Sequence, residues 1–263
     1  MRYKVDHDLH IHSRLSLCSD DPEQTAERIL KYAKEHSLNT VCVTDHYWDE
    51  NIPGAWKWYA RQDTDHIKQI LPLSGEDGVR FLFGCECEFT KDMIYTVGED
   101  KAELFDFVII PTTHLHMPGI VSPELKRIDD RAALWIKRLD ALLDQPLPFK
   151  KVGIAHLTCH LIFRDERERY LAILNAVPSR ELERLFTKAA ARGVGIELNS
   201  SDMSYAPREA ETVLRPYRIA KACGCKFYLG SDAHHPAGLD EAPEIFERAV
   251  TALDLHEDDK FIV

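Results

Sequence analysis

"VDHDLHIHSRLSLCSDD", residues 5–21, sets His10 and His12 at the end of a short apolar run and surrounds them with acids and serines. On an extended strand, residues i and i+2 point the same way, so both imidazoles can reach one point while Leu9 and Ile11 turn into packing. One such pair means little. Its weight comes from the rest of the chain, which repeats the arrangement. Strand-like runs occur at Val5–Leu9, Thr40–Thr44, Val79–Gly84, Phe107–Pro111, Lys151–Ala155, Val194–Leu198 and Lys226–Gly230. They are short and several are continuously apolar, as strands covered on both faces are. Each leads into polar ligand types at its C-terminal end. After "DLHIHS" come "TDH" with Asp45 and His46, "GCECEF" with Glu86 and Glu88, and "PTTHLH" with His114 and His116. Then follow "GIAHL" with His156, "GIELNSS" with Glu197 and Asn199, and "GSDAHH" with Asp232, His234 and His235.

Helical stripes lie between several of these runs. Ala26, Ile29, Leu30 and Ala33 follow Asp21-Pro22, which reads as a cap and first turn. Ala133, Ile136, Leu139, Leu142 and Leu143 make a second stripe, and Leu182, Leu185, Phe186, Ala189 and Ala190 a third, stopped by Gly193. Val213, Leu214, Tyr217, Ala220 and Ala222, then Ile245, Phe246, Ala249 and Val250, complete the set. Repeated strand–helix alternation is the pattern of a parallel α/β architecture, and about seven units favour a barrel over an open sheet. Trp48–Glu76 reads as an elaborated loop followed by a helix. No linker divides the chain, so one domain over residues 1–263 is expected.

In parallel barrels the C-terminal strand ends carry the active site. Histidine with carboxylate and little thiolate suits Zn²⁺, Mn²⁺ or Fe²⁺. The eight or nine ligands exceed the needs of one tetrahedral ion, whereas two or three ions sharing a bridging carboxylate would use them all. No Gly-x-Ser-x-Gly elbow or Walker loop supplies another chemistry. A metal-activated water is therefore the expected nucleophile, with Asp45 or His234 assisting the leaving group.

The motifs "DLHIHS", "TDH", "GCE", "TTH", "AH" and "GSDAH", in this order from residue 8 to 235, resemble the PHP (polymerase and histidinol phosphatase) superfamily. The resemblance implies a distorted (β/α)7 TIM-like barrel with a trinuclear metal site and phosphoester hydrolysis, often of phosphomonoesters, as in histidinol phosphatase. Carried over position by position, it implies His10, His12, Glu86 and Asp232 on a first metal. Glu86 would bridge to a second, completed by His114 and His156. A third would take His46, His234 and one ligand from the loop after His12. The family usually places His or Asp there. In "SRLSLCSDD" the chemistry favours Asp20, with Cys18 at a plausible spacing and Asp21 also readable as a helix cap. Glu88 has no clear family role, and His116 and His235 read as neighbours of better-placed ligands. Asp8 can orient a histidine ring, Glu197 and Asn199 fit the family's strand-six pattern as pocket lining, and Arg164 can grip a phosphate.

Bulk properties narrow the alternatives. The 263 residues carry a net charge of −11, which repels nucleic-acid phosphates and argues against a nucleic-acid partner. No apolar run approaches the roughly 18 residues of a membrane span. "MRYKVDHDLH" lacks an apolar signal core, so a cytoplasmic location is expected. The seven cysteines form no Cys-x-x-Cys pair and read mostly as core thiols. The leading reading is a phosphatase of a small phosphomonoester. Hydrolysis of a phosphodiester, nucleotide or C–N bond on the same metals is the second, and a non-catalytic metal-binding module the third.

Overall fold

The computed structural model describes residues 1–117, 120 and 125–263. Strand-to-helix loops set specificity in such barrels, and one of them, Met117–Asp130, lies partly outside the described residues. Eight strands are formed: β1 (His7–Ile11), β2 (Thr40–Val43), β3 (His46–Tyr47), β4 (Arg80–Cys87), β5 (Phe107–Pro111), β6 (Val152–Ala155), β7 (Gly195–Asn199) and β8 (Lys226–Gly230). All ladders are parallel, in the order β1-β2-β4-β5-β6-β7-β8, with the two-residue β3 paired to the end of β4. The ends meet at the C-terminal edge. Asp232 N donates to His10 O at 2.7 Å, His12 N donates to Ala233 O at 3.1 Å, and Ile11 bridges to Ala233. The sheet thus closes nearly into a barrel with helices outside, the distorted (β/α)7 TIM-like barrel that the resemblance of the motifs implies.

Side-chain alternation fills two layers. Phe107 on β5 meets Tyr228 on β8 at 5.1 Å between ring centroids, although β6 and β7 lie between those strands. This contact can only run through the barrel interior, which Leu9, Cys42, Leu82, Ile109, Ala155 and Phe261 complete. Val108 and Ile110 point outward into the larger helix-covered core. The helices Ile128–Leu143, Ser179–Arg192, Ala210–Ala222 and Pro236–Ala252 coincide with the apolar stripes of the sequence. Gly193 ends its helix in the left-handed region (φ 74°), a conformation that favours glycine.

Three local expectations are corrected. Leu9 and Ile11 do not share a face: register shifts between Asp8 and Ile11, so Leu9 enters the barrel and Ile11 packs on Ile29, Tyr32 and Val43. Thr25, rather than Asp21, caps the helix Ala26–Glu35, accepting from Arg28 N, while Asp21 closes a turn onto Glu23 N. Trp48–Glu76 holds only single helical turns, the longest Thr64–Ile67, because Asp63 caps a segment with too few apolar positions to extend. A helix that no stripe in the sequence marks, Arg167–Ala176, follows β6.

Candidate metal centre

The strand ends deliver their donors to one point. β1 carries His10 and its next residue is His12, the pairing of β3 with β4 sets His46 beside Glu86, and His114, His156, Asp232 and His234 follow β5, β6 and β8. Their ligand atoms fall into three overlapping groups, each within 4.8 Å: His10, His12, Glu86 and Asp232; Glu86, His114 and His156; and His12, His46 and His234. Glu86 belongs to two groups and His12 to two. Glu86 lies between 2.9 and 3.8 Å from all five neighbouring imidazoles, His10, His12, His46, His114 and His156. Most of these residues are buried. The side chains of Asp232 and His234, 22% and 26% exposed, give the cluster its opening.

Outer partners fix the rings. His10 Nδ1 donates to Glu197 Oε1 at 2.7 Å, and His234 Nδ1 donates to Asp232 O at 2.8 Å. Ser16 Oγ gives its proton to Asp45 Oδ1, so it accepts from His12 Nδ1 at 2.8 Å. Thr113 Oγ1 gives its proton to His156 O, so it accepts from His156 Nδ1 at 3.0 Å. His114 Nδ1 donates to Glu88 Oε1 at 2.6 Å. In each of these rings Nδ1 is used outside the cluster, leaving the Nε2 lone pair for the inside, as metal-binding histidines are arranged. The backbone is bent to the same end. His156 (φ 28°) and Asp232 (φ 55°) both lie at positive φ, a conformation costly for non-glycine residues and tolerated where surrounding structure enforces it. At Gly230 a Cβ would fall 2.7 Å from His10 Cβ and collide with the Glu197 carboxylate, so only glycine lets Glu197 reach His10.

The electrostatics call for cations. Burial works against charge on His10, yet Glu197, Asp232 and Glu86 outweigh it and hold its pKa well above the ordinary histidine value. Burial is likewise overcome at His12 and His156, both raised to about 9, chiefly by the hydrogen bonds that the first donates to Asp232 and Glu86 and the second to Glu86. Against burial, the surrounding imidazoles keep Glu86 and Asp232 well below the carboxylate range. Burial, with His12 adding to it, pushes His234 down to about 4. In the protein alone these buried carboxylates are balanced by protons taken onto imidazoles, with His10 Nε2 and His12 Nε2 only 3.1 Å apart. Divalent cations meet the same demand and use the converging lone pairs, so the donor set fits them.

Other expected site residues take different places. Asp20 is corrected: its side chain is 93% exposed, 3.8 Å from His235 Nδ1, and joins none of the three groups, because the loop after Ser19 turns it to solvent. Geometrically, His12 completes the group of His46 and His234. Cys18 lines a cavity of about 450 Å³ with Asp232 and His234, and Asp21 serves its turn. Asp45 is buried and accepts from Ser13 N, Ser13 Oγ and Ser16 Oγ, each at 2.7 Å, so it holds the loop after β1 and does not face the opening. Asn199 Nδ2 donates to Asp232 Oδ2 at 3.4 Å. Asp8 orients no ring; it accepts from Ser231 N, His10 N and Tyr32 Oη. Arg164 is exposed and follows the turn His160–Phe163. Burial first, then the charges of His114, Arg164, His156 and His160, push His116 down to about 3.

The sequence matches the PHP domain family over residues 8–201. This chain belongs to the PHP domain family. The matched region ends before Asp232 and His234, which the fold nevertheless brings to the same point as His10 and His12. Among solved structures the PHP chain is similar to a histidinol phosphate phosphatase from Lactococcus lactis subsp. lactis Il1403, determined with zinc, L-histidinol and phosphate. That likeness has a TM-score of 0.63 at 16% identity and covers 98% of this chain and 99% of the other. No curated protein matches it by sequence.

Several residues of this PHP site escape a reading of motifs: Ser16, Tyr59 and Thr113 touch the ligands' outer sides, yet each is a common residue type without a fixed spacing. Asp202 is another. It is buried, with Oδ2 accepting from Thr158 N at 2.9 Å and Tyr217 Oη at 2.7 Å, and burial raises it to about 6. The unfolded chain gives up this proton near pH 4 and the folded one near 6, so the folded state binds more protons in between. Its stabilising contribution is complete below about pH 4 and is lost as pH rises through about 6, a change of about 3 kcal/mol. Urea denaturation of Asp202→Asn between pH 4 and 7 is expected to show a flatter profile than the parent. Parallel profiles would contradict this assignment.

Proposed function

We propose that this chain is a metal-dependent phosphoesterase that hydrolyses a small phosphomonoester, using two or three divalent ions (Zn²⁺, Mn²⁺ or Fe²⁺). The observation carrying this reading is the set of three overlapping donor groups joined through Glu86 and His12 at the open end of the barrel. His10, His12, Glu86 and Asp232 would hold one ion, with Glu86, His114 and His156 on a second and His12, His46 and His234 on a third. Divalent ions held there would neutralise phosphoryl oxygens and bring the ionisation of a water close to neutral pH. The protein's own part is to fix the geometry. Glu197, Ser16, Thr113 and Glu88 hold the rings from outside, so little reorganisation remains when the substrate arrives. Asn199 steadies Asp232 at the opening. Arg164, whose charge is felt at His116, would supply positive charge for the phosphate in a protein of net charge −11.

His234 is assigned to ion binding, because its Nδ1 is committed to Asp232 O and only Nε2 remains. Leaving-group protonation is not assigned to Asp45, whose carboxylate is occupied by Ser13 and Ser16. The fold shared with the zinc-, L-histidinol- and phosphate-bound enzyme supports an alcohol phosphate as substrate. The proposal takes residues 1–263 as one unit, since Phe261 sits in the barrel interior beside Phe107. It places the protein in the cytoplasm, since all seven cysteines are free thiols. Among the described residues no helix is long and apolar enough to cross a membrane.

Phosphate release from a panel of phosphomonoesters, histidinol phosphate included, tests the reading with Mn²⁺ or Zn²⁺ present and a chelated control. Release that stops with chelator and returns with metal is expected. An ion-loaded protein that releases no phosphate but cleaves diesters or amides would overturn it.

A further inference from the structure

Glu88 stands one residue beyond β4 and two beyond Glu86, and it is fully buried. Its bonds differ from those of an ordinary buried carboxylate. Oε1 takes both partners, His114 Nδ1 at 2.6 Å and Tyr59 Oη at 2.5 Å, while Oε2 is buried with none among the described residues. A proton on Oε2 would itself be unpartnered, so the arrangement suits a carboxylate that only accepts. Both partners must then donate. His114 carries its proton on Nδ1 and keeps the Nε2 lone pair, and Nε2 lies 3.8 Å from Glu86 Oε1.

Tyr59 extends the chain. Its single proton goes to Glu88, so its oxygen meets His46 Nδ1, 3.4 Å away, as an acceptor. The other neighbour of His46 Nδ1 is Glu86 Oε2 at 3.2 Å, also an acceptor. Nδ1 of His46 therefore bears the proton, and Nε2 is the lone pair it can give. His114 and His46 belong to different donor groups and approach different oxygens of Glu86, Oε1 and Oε2 respectively. One carboxylate sets the tautomer of both.

The frame around Glu88 points the same way. Arg138, fully buried on the helix Ile128–Leu143, donates to Phe89 O, Thr90 O and Thr112 O. These carbonyls flank Glu88 on one strand end and His114 on the other. The Glu88 charge lies within electrostatic reach of that guanidinium.

We propose that Glu88 is a positioning residue shared by two ion positions, fixing His114 directly and His46 through Tyr59. The proposal rests on the metal-dependent reading above. It predicts an unequal pattern of ion loss. Glu88→Gln keeps the side chain's size but weakens the acceptor for both rings. Tyr59→Phe leaves the His114 bond intact and removes only the link to His46.

The test is competition with a graded chelator on the full-length protein, with ions counted by mass spectrometry and Co²⁺ absorption read in parallel. Loss of an orienting outer partner typically weakens metal binding about 10–100-fold. E88Q is expected to keep one tightly held ion, on His10, His12, Glu86 and Asp232, and to bind the remaining ions about 10–100-fold more weakly. Y59F is expected to weaken one ion only and to change the Co²⁺ spectrum less than E88Q does. Wild-type affinities in E88Q, or equal losses in E88Q and Y59F, would overturn the proposal and leave the metal-dependent reading standing. A parent protein that holds no ion would overturn both. Should E88Q fail to fold, Y59F decides alone: wild-type affinity for every ion would sink the link through Tyr59.

Discussion

Replacing Glu86 by glutamine is expected to leave a folded barrel that has lost hydrolysis by on the order of 10³-fold, the scale of removing one preorganised electrostatic group. Among the described residues Glu86 is the only carboxylate shared by two of the donor groups, and five imidazoles converge on it. Glutamine keeps its volume and one oxygen, so packing against the strand end survives. It cannot bridge two cations, because its amide nitrogen donates and carries no charge. At least one ion should therefore leave on dialysis, and the others should be released at lower chelator concentration. Circular dichroism, metal analysis and phosphate release on the same preparation separate the possible causes. Retained turnover in a folded Glu86→Gln protein would end the case for a shared carboxylate. Asp232→Asn is the informative comparison, because Asp232 belongs to one group only. It should cost activity while leaving the Glu86, His114 and His156 group able to bind.

The contrast between these two carboxylates also shows how much was legible in the chain. His10, His12, Glu86, His114, His156, Asp232 and His234 could be placed because parallel strands end on a common face, and a residue just past an apolar run inherits that face. His46 was legible as chemistry but not as structure. Its two-residue strand is too short to show any periodicity, and only pairing with β4 sets it beside Glu86. The reversal of Leu9 relative to Ile11 was hidden for a related reason: a bulge is a property of two strands in register, not of one. Asp20 suits an ion by ligand type, yet the direction of a loop side chain is decided by tertiary contacts, here Ser19 Oγ donating to His234 O just before it. The helix Arg167–Ala176 buries only Tyr170, Ile173 and Leu174 and has no side-chain cap, so neither stripe nor start signal stood out. Outer partners such as Glu197 and Ser16 depend on distances across the barrel, which no spacing along the chain encodes.

Arg138→Met is expected to cost about 4 kcal/mol or more of folding stability, which is a large share of the roughly 5–15 kcal/mol typical of a domain. Methionine matches the length of the arginine stem, so the loss is mainly polar. Two backbone carbonyls, those of Phe89 and Thr112, would lose their guanidinium donor, and each buried group left unpaired costs about 1–3 kcal/mol, whereas Thr90 O keeps Met93 N as its donor. Contact of the guanidinium with the Phe89 ring, 5.1 Å to its centroid, is lost as well. Burial already draws Arg138 down to about 10, opposed by Glu88, so this cation is held at some expense and the carboxylate would then be left without it. Arg184→Met is the matching surface control. Its pair with Asp140 at 2.9 Å is 46% and 31% exposed, and such pairs contribute about 0–1 kcal/mol. Urea denaturation of both variants without added metal separates the two regimes, and a loss below about 1 kcal/mol at Arg138 would refute the structural role. Because the lost bonds flank Glu88 and His114, the Met variant should also bind ions more weakly than Arg184→Met. Stability and ion affinity are thus expected to fall together at this position, since the same three carbonyls hold both the barrel's rim and its ligands.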